Sequence, residues 1–113
     1  MSTLETFILS GPNHALDGAG LHDATLLSVA LDWKEAEVKV LVLLLGGIPA
    51  TLGFHKVTDA VLPRDQPWGP SNSINGASEV SVGKYAIEMQ SGDTLHFNAA
   101  SWSLRITASA SEA

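Results

Sequence analysis

The chain has 113 residues, of which 45% are hydrophobic and 16% charged, the profile of one folded domain with a single core. Its 12 acidic and 6 basic side chains give a formal net charge of −6, so it lacks the basic footprint of a nucleic-acid binder and is poorly suited to an anionic membrane surface. Cysteine is absent, which excludes disulfides, thiol catalysis and thiolate metal sites.

The sequence predicts neither a targeting segment nor a membrane span. The amino-terminal sequence MSTLETFILSGPNHALDG has no positively charged start and no long apolar stretch, so it does not resemble a signal peptide. The longest apolar run, Val40 to Leu45, is far shorter than the ~20 residues that cross a bilayer. We therefore expect a cytoplasmic protein.

The first segment allows two interpretations. Ser2 and Glu5 have the spacing of a capping box, and the apolar residues that follow fall on one helical face, which predicts a short amino-terminal helix. A short strand is the alternative, because Gly11-Pro12 ends the segment before a period is established. Residues 10–20 are interpreted as a loop.

Two strands joined by a tight hairpin follow. The sequence LHDATLLSVALDW alternates with period two, and its apolar face comprises Thr25, Leu27, Val29, Leu31 and Trp33. The segment EVKVLVLLL, from Glu37 to Leu45, is apolar on both faces at its far end, which predicts a central strand covered on both sides there. Lys34-Glu35-Ala36 forms the turn between them, and its type is open.

Two later segments change the phase of their apolar residues. In ATLGFHKVTDAVL the apolar positions shift, which predicts a third strand with a β-bulge at Gly53 or at His55-Lys56. The segment from Leu95 to Ile106 shifts in the same way, which predicts a bulge or bend at Ala99-Ala100-Ser101.

The segment between them contains two turn signals. Asn75-Gly76 is typical of a type I′ turn and predicts a small hairpin between residues 71–74 and 77–82. Ser91-Gly92-Asp93 predicts a second turn. The strand between these turns, Lys84 to Gln90, alternates clearly, and its inward residues are Tyr85, Ile87 and Met89.

Strands at intervals of ~8–12 residues with hairpin-length turns predict an antiparallel all-β fold, a β-sandwich or a strongly curved sheet. We expect residues 1–113 to form one domain, with an amino-terminal segment and loop over 1–20 and a frayed tail over 108–113.

The sequence contains no recognisable catalytic, metal-binding or cofactor-binding motif. His22-Asp23, with His14 and Asp17 nearby, comes closest to a chemical site, but this spacing matches no known motif. The simpler interpretation is that His22 bonds the loop backbone at the start of a strand. His55 and His96 are interpreted as half-exposed strand residues, and no G-x-S-x-G nucleophile elbow is present.

The stretch DQPWGPSNSIN, Asp65 to Asn75, places Trp68 between two prolines that stiffen the loop. Trp68 is either the anchor of a binding loop or a plug over an open end of the sheets, and we favour the plug. The binding hypothesis predicts an exposed Trp68 with an acidic patch beside it.

Three blocks, LHDATLLSVALDW, PWGPSNSIN and IEMQSGDTLHFNAASW, resemble a family of small bacterial domains without established function. The resemblance covers roughly Leu21 to Leu104 and includes the LHDA start, the PWGPS-S-N loop and the EMQSGD turn. The sequence is also similar, more loosely, to the β-rich immunity proteins that neutralise bacterial toxins. The resemblance supplies no catalytic residues, but it implies one neighbourhood of His22, Asp23, Trp68, Ser71, Asn72, Ser91, Gly92 and Asp93.

We therefore expect a non-enzymatic cytoplasmic binding protein with a protein partner, immunity-like in its specific form, with no cofactor and no metal. The expected binding residues are His22, Asp23, Trp68, Ser71, Asn72, Ser91 and Asp93. The alternative is a small enzyme or small-ligand binder that uses His22, Asp23 and the loop from Trp68 to Asn75. A third hypothesis is a homo-oligomer that forms through the apolar strand from Val38 to Leu45 or through a strand edge.

Overall fold

Nine β-strands form the described part of the chain, which in this computed structural model comprises residues 5–10, 16, 20–64 and 72–108. The strands are β1 (Glu5–Ser10), β2 (Thr25–Asp32), β3 (Glu37–Leu44), β4 (Ile48–His55), β5 (Asp59–Val61), β6 (Ile74–Ser81), β7 (Lys84–Met89), β8 (Thr94–Asn98) and β9 (Ser101–Ala108). Within these residues, no helix is both long enough and apolar enough to cross a membrane.

The strands form two antiparallel sheets that pack together as a β-sandwich, as the sequence predicted. The five-stranded sheet has the order β1-β9-β4-β3-β2, and the four-stranded sheet has the order β5-β8-β7-β6. The first segment is a strand rather than a helix, because β1 pairs along its whole length with β9. In this sheet β3 lies between β4 and β2, so it is central and presents no free edge for a second copy.

The core lies where the inward faces of the two sheets meet. On β3, the alternation is clear, since Val38, Val40 and Val42 are buried while Lys39 and Leu41 between them are exposed. On β7 the predicted inward residues, Tyr85, Ile87 and Met89, are buried as expected. The alternation of apolar and polar residues with period two therefore correctly predicted which face of these two strands is buried.

Three aromatic rings join the sheets across the core. Phe54 of β4 stacks on Phe97 of β8, with ring centroids 4.6 Å apart and an interplanar angle of 18°. Phe54 also contacts Tyr85 of β7 at a centroid distance of 5.2 Å. A pair of rings at such distances adds stability beyond the apolar area that it buries.

Both shifts of apolar phase in the sequence mark places where the chain leaves one sheet for the other. The expected bulge at His55-Lys56 is the end of β4, after which β5 pairs in the second sheet, and Lys56 adopts a positive φ of 56° there. The expected bend at Ala99-Ala100-Ser101 joins β8 to β9, which lie in opposite sheets. The inner faces of the two sheets face each other, so a chain that changes sheet must change which side of it is buried.

Three local predictions are wrong. Asn75-Gly76 lies inside β6 beside a register shift and forms no hairpin; the turn between β6 and β7 contains Gly83 instead, at φ 76°. In β2, a bulge between Leu26 and Ser28 turns Leu27 outward, where it is 54% exposed. The far end of β3 is half-buried rather than covered on both faces.

Candidate functional site

Three segments that carry most of the expected binding residues lie side by side at one end of the sandwich. Asp23 donates its backbone N–H to the carbonyl oxygen of Ile74 at 2.8 Å, and Ile74 donates to Ala24 at 2.8 Å. Gln90 donates its backbone N–H to Ser73 at 2.9 Å and its side-chain amide to Asp23 Oδ1 at 2.7 Å. Residues 21–26, 72–75 and 89–93 therefore form one hydrogen-bonded neighbourhood.

His22 and Asp23 hold backbone and side chains in place within this neighbourhood. His22 is exposed, and its Nδ1 donates to the carbonyl oxygen of Asn75 at 2.6 Å, which agrees with the simpler interpretation of this histidine. Its Nε2 lies 3.5 Å from Asp23 Oδ2. Asp23 adopts φ 64°, a conformation that aspartate tolerates better than most residues.

Ser91 and Asp93 are buried polar residues of the turn between β7 and β8. They are 5% and 7% exposed, and Ser91 Oγ donates to Asp93 Oδ2 at 3.0 Å. Met89 closes the turn, since its N–H donates to the carbonyl oxygen of Asp93 and its own oxygen accepts from Gly92. The expected turn at Ser91-Gly92-Asp93 is confirmed, with Gly92 at φ 104°.

A cavity of about 170 Å³ opens beside this turn. Three of the expected binding residues, Asn72, Ser91 and Asp93, belong to its polar lining, together with the cation Arg64. Its apolar lining includes Leu26, Val29 and Met89. His22 and Asp23 do not line this cavity. Trp68 and Ser71, the two other expected binding residues, lie outside the residues that the structure describes, as does His14.

A second, larger depression of about 420 Å³ contains a tryptophan that the sequence analysis assigned to the core side of β2. Its lining comprises Leu31, Trp33, Ala36, Val57, Thr58, Asp59 and Ala60. Trp33 is 87% exposed and Leu31 is 49% exposed, although both were predicted to face inward. The expectation is wrong for Trp33 because β2 ends at Asp32. The in-and-out alternation of side chains along β2 therefore does not determine the direction of the next side chain.

Both depressions lie between β2 and the segment around β5, and we call the two together the β2–β5 groove. One wall is β2 with Trp33, and the other wall is the segment from Val57 through β5 to Arg64. Both strands are the outermost in their sheets. The groove is therefore bounded by two sheet edges, which are the places where sandwiches accept an additional extended chain.

Acidic side chains lie at the Trp33 end of the groove. Asp59 lines it directly, and the hairpin that carries Trp33 contains Asp32 and Glu35 together with one cation, Lys34. Asp32 Oδ1 accepts the backbone N–H of Glu35 at 3.0 Å, which fixes the start of this turn. The signal that could have located the site is the tryptophan next to KEAE, since a large ring beside a charged turn at a strand end is poorly placed to enter the core.

The described residues contain no group of three or more histidine, aspartate and glutamate side chains arranged to hold a metal ion. Comparisons with protein-family models, curated proteins and solved structures found no match to this chain.

Proposed function

We propose that this protein is a cytoplasmic binding protein that holds an extended segment of a partner protein in the β2–β5 groove. The observation that carries the proposal is Trp33, which is 87% exposed in a concave, largely apolar surface. Tryptophan is the residue type most enriched among the dominant contacts of protein interfaces, and a ring held beside a short hairpin loses little freedom on binding.

The edge of β2 supports an extended partner rather than a globular one. On one side β2 pairs with β3 along its length. On the other side, its start contacts residues 72–73, through the Thr25–Ser73 bridge and the Leu26 N–H that donates to Asn72 at 2.7 Å. The later part, beside Leu31, borders the groove, where a partner segment can add main-chain hydrogen bonds while its side chains enter the two depressions.

The expected partner segment combines apolar and basic side chains. Leu31, Trp33 and Val57 offer apolar surface, while Asp59 lines the same depression with negative charge. The net charge of −6 favours encounter with a basic partner at low salt. The immunity-like form of the proposal, in which this partner is a toxin, comes from the sequence resemblance.

Selection of displayed random peptides against the wild-type chain tests this proposal. We expect peptides with apolar and Lys or Arg residues, whose affinity falls by about 30-fold or more in Trp33→Ala, since an anchor costs ~2 kcal/mol or more when truncated. Val82→Ala is the matched control, because Val82 is 96% exposed in another hairpin turn and lies away from the groove. Fluorescence anisotropy of a labelled peptide gives the affinities.

Two further readouts complete this test. Amide chemical shifts should move along β2 and residues 57–62 when the peptide binds, and the affinity should fall with rising salt. Trp33→Ala should leave the unfolding midpoint in urea nearly unchanged, because the side chain is largely exposed. The proposal is wrong if no peptide is selected, or if the selected peptides bind Trp33→Ala as tightly as the wild type.

A further inference from the structure

The outer face of the five-stranded sheet holds a hydrogen-bonded row of three side chains, one each from β3, β4 and β9. His55 Nε2 lies 2.9 Å from Ser103 Oγ, and His55 Nδ1 lies 3.3 Å from Glu37 Oε2. The Glu37 and His55 side chains are both 37% exposed, so the row is partly screened yet open to solvent. From the sequence alone His55 is interpreted as a half-exposed strand residue, because no local motif links it to Glu37 or Ser103.

Hydrogen-bond chemistry fixes the direction of the row. A carboxylate can only accept, so His55 Nδ1 carries the proton that is donated to Glu37. In the neutral imidazole the other nitrogen is then an acceptor, so Ser103 donates its hydroxyl proton to His55 Nε2. This is the order of acceptors and donors in which a serine hydroxyl is activated by a histidine base that a carboxylate orients.

Gly53 borders this row. It lies opposite Ser103 in the sheet register, two residues before His55 on the same strand face. A Cβ atom at Gly53 would lie 3.4 Å from both His55 Cε1 and Ser103 Oγ. These are ordinary contact distances, so a methyl group fits at this position, whereas a larger side chain would crowd the imidazole and the serine hydroxyl.

The row lines a depression of about 460 Å³ that also contains two cations. Lys39 of β3 and Arg105 of β9 belong to its lining, with Leu41 and Thr51 between them. Lys39 and Ser103 are both register partners of Gly53, and Arg105 is two residues from Ser103 on the same strand. In a chain with a net charge of −6, a depression lined by two cations and the single carboxylate of Glu37 is a local site that favours an anionic group.

We propose that Ser103 is an activated nucleophile that accepts the acyl group of small esters bearing a negative charge. Ser103 Oγ attacks the ester carbonyl carbon while His55 Nε2 takes its proton, and Glu37 holds the imidazole in position. The ester C–O bond breaks, and the leaving alkoxide takes the proton from His55. Water then attacks acyl-Ser103, gives a proton to His55, and releases the acid as Ser103 regains its hydrogen, so the net reaction is ester plus water to acid plus alcohol.

The sheet itself limits how fast this reaction can run. Both β4 and β9 are paired on each side, so their backbone N–H groups are committed to neighbouring strands and do not form an oxyanion hole. The developing oxyanion therefore has only the positive field of Lys39 and Arg105, which line the same depression, to stabilise it. We therefore expect acylation to be easier to detect than rapid turnover.

The test incubates the full chain with 4-acetoxybenzenesulfonate, with neutral 4-nitrophenyl acetate and with a fluorophosphonate probe, followed by peptide mass mapping. We expect one dominant adduct on Ser103 with each reagent, and faster acetylation by the anionic ester than by the neutral one relative to their rates in buffer. Ser28 is the internal control, because it is an exposed serine on the same sheet face, opposite Leu41. This comparison within the wild-type protein needs no variant that might fail to fold.

Variants separate the roles in the row. Ser103→Ala should lose the adduct, and His55→Gln should slow it about 100-fold, the size of a general-base contribution. Glu37→Gln can present an amide N–H to Nδ1, which favours the opposite tautomer, so labelling should slow while ring ¹⁵N–¹H correlations show the His55 proton moving from Nδ1 to Nε2. Labelling that is absent, that reaches Ser28 equally, or that is unaffected by His55→Gln overturns the proposal.

Discussion

Tyr85 is the single tyrosine of the chain, and its side chain is buried at 4% exposure on β7. Burial raises the pKa of Tyr85 above the ordinary value of 10.0, and the negative charge of Glu79 raises it further. Above pH 10 the unfolded chain therefore loses the phenolic proton before the folded chain does. The contribution of this residue to the free energy of unfolding is fully present below pH 10 and is lost as the pH rises toward the folded-state pKa.

The measurement is tyrosinate absorbance, which reports on Tyr85 alone because no second tyrosine exists. We expect the folded protein to titrate above pH 10 and the urea-unfolded protein to titrate near pH 10. Tyr85→Phe should remove this part of the alkaline loss of stability, while lysines contribute equally to both proteins. Coincident titration curves in the folded and unfolded states would contradict the assignment.

At the scale of single elements, the hairpin between β2 and β3 contains a residue with a strained backbone. Ala36 adopts φ 55°, in the left-handed region that costs a residue with a Cβ atom about 1–2 kcal/mol. Its carbonyl oxygen accepts the N–H of Val57 at 2.7 Å, so the turn is held in this conformation by the segment that leads to β5. Glycine relieves the strain, and we expect Ala36→Gly to stabilise the protein by ~0.5–1 kcal/mol after its larger loss of chain entropy.

Urea unfolding measures this change, and Ala30→Gly is the matched control. Ala30 is exposed on β2 and lies in extended backbone, opposite Lys39. There, glycine should destabilise by ~0.5–1 kcal/mol, because it only adds entropy to the unfolded chain. Opposite signs at the two positions are the expected result, and a loss of stability in Ala36→Gly would show that strain at this turn is relieved in another way.

The same elements show which parts of the fold the sequence could predict. The inward faces of β3 and β7 follow from period two, because each strand stays in one sheet without interruption. The phase shift at His55-Lys56 was visible in the sequence, but a bulge and a change of sheet produce the same shift, and only the pairing of β5 with β8 separates them. The turn predicted at Asn75-Gly76 is wrong because the turn preference of a dipeptide is local, whereas the pairing of β6 with β7 depends on the strands around it.

The candidate sites were less predictable than the strands, because each of them joins residues that are distant in sequence. Asp23 and Gln90 share a hydrogen bond although 67 positions separate them, and no local pattern in the sequence brings the two residues together. The depression around Trp33 depends on where β2 ends and on where β5 crosses to the second sheet. The contact between His55 and Ser103 requires the register of β4 against β9, which no pattern in the sequence states.

At the scale of the whole molecule, Phe54 contacts rings of the opposite sheet and so helps to connect the two sheets. It is fully buried on β4 and stacks on Phe97 at 4.6 Å, and its neighbours across the core belong to the second sheet. Phe54→Ala should cost about 3–5 kcal/mol, because it removes the ring and leaves a cavity between rigid sheets. Leu41→Ala, at a 43% exposed position on the adjacent strand, is the control and should cost much less.

Calorimetry of wild type and Phe54→Ala tests whether the sandwich is one cooperative unit. The buried cluster draws residues from both sheets, with Val40 and Leu52 from the first and Ile87 and Phe97 from the second. Neither sheet can keep its apolar face buried without the other, so we expect one transition in which the van't Hoff and calorimetric enthalpies agree, at a lower temperature in the variant. Two resolved transitions in Phe54→Ala would mean that each sheet has a stable core of its own, and the ring contacts between them would then be an interface rather than the centre of the fold.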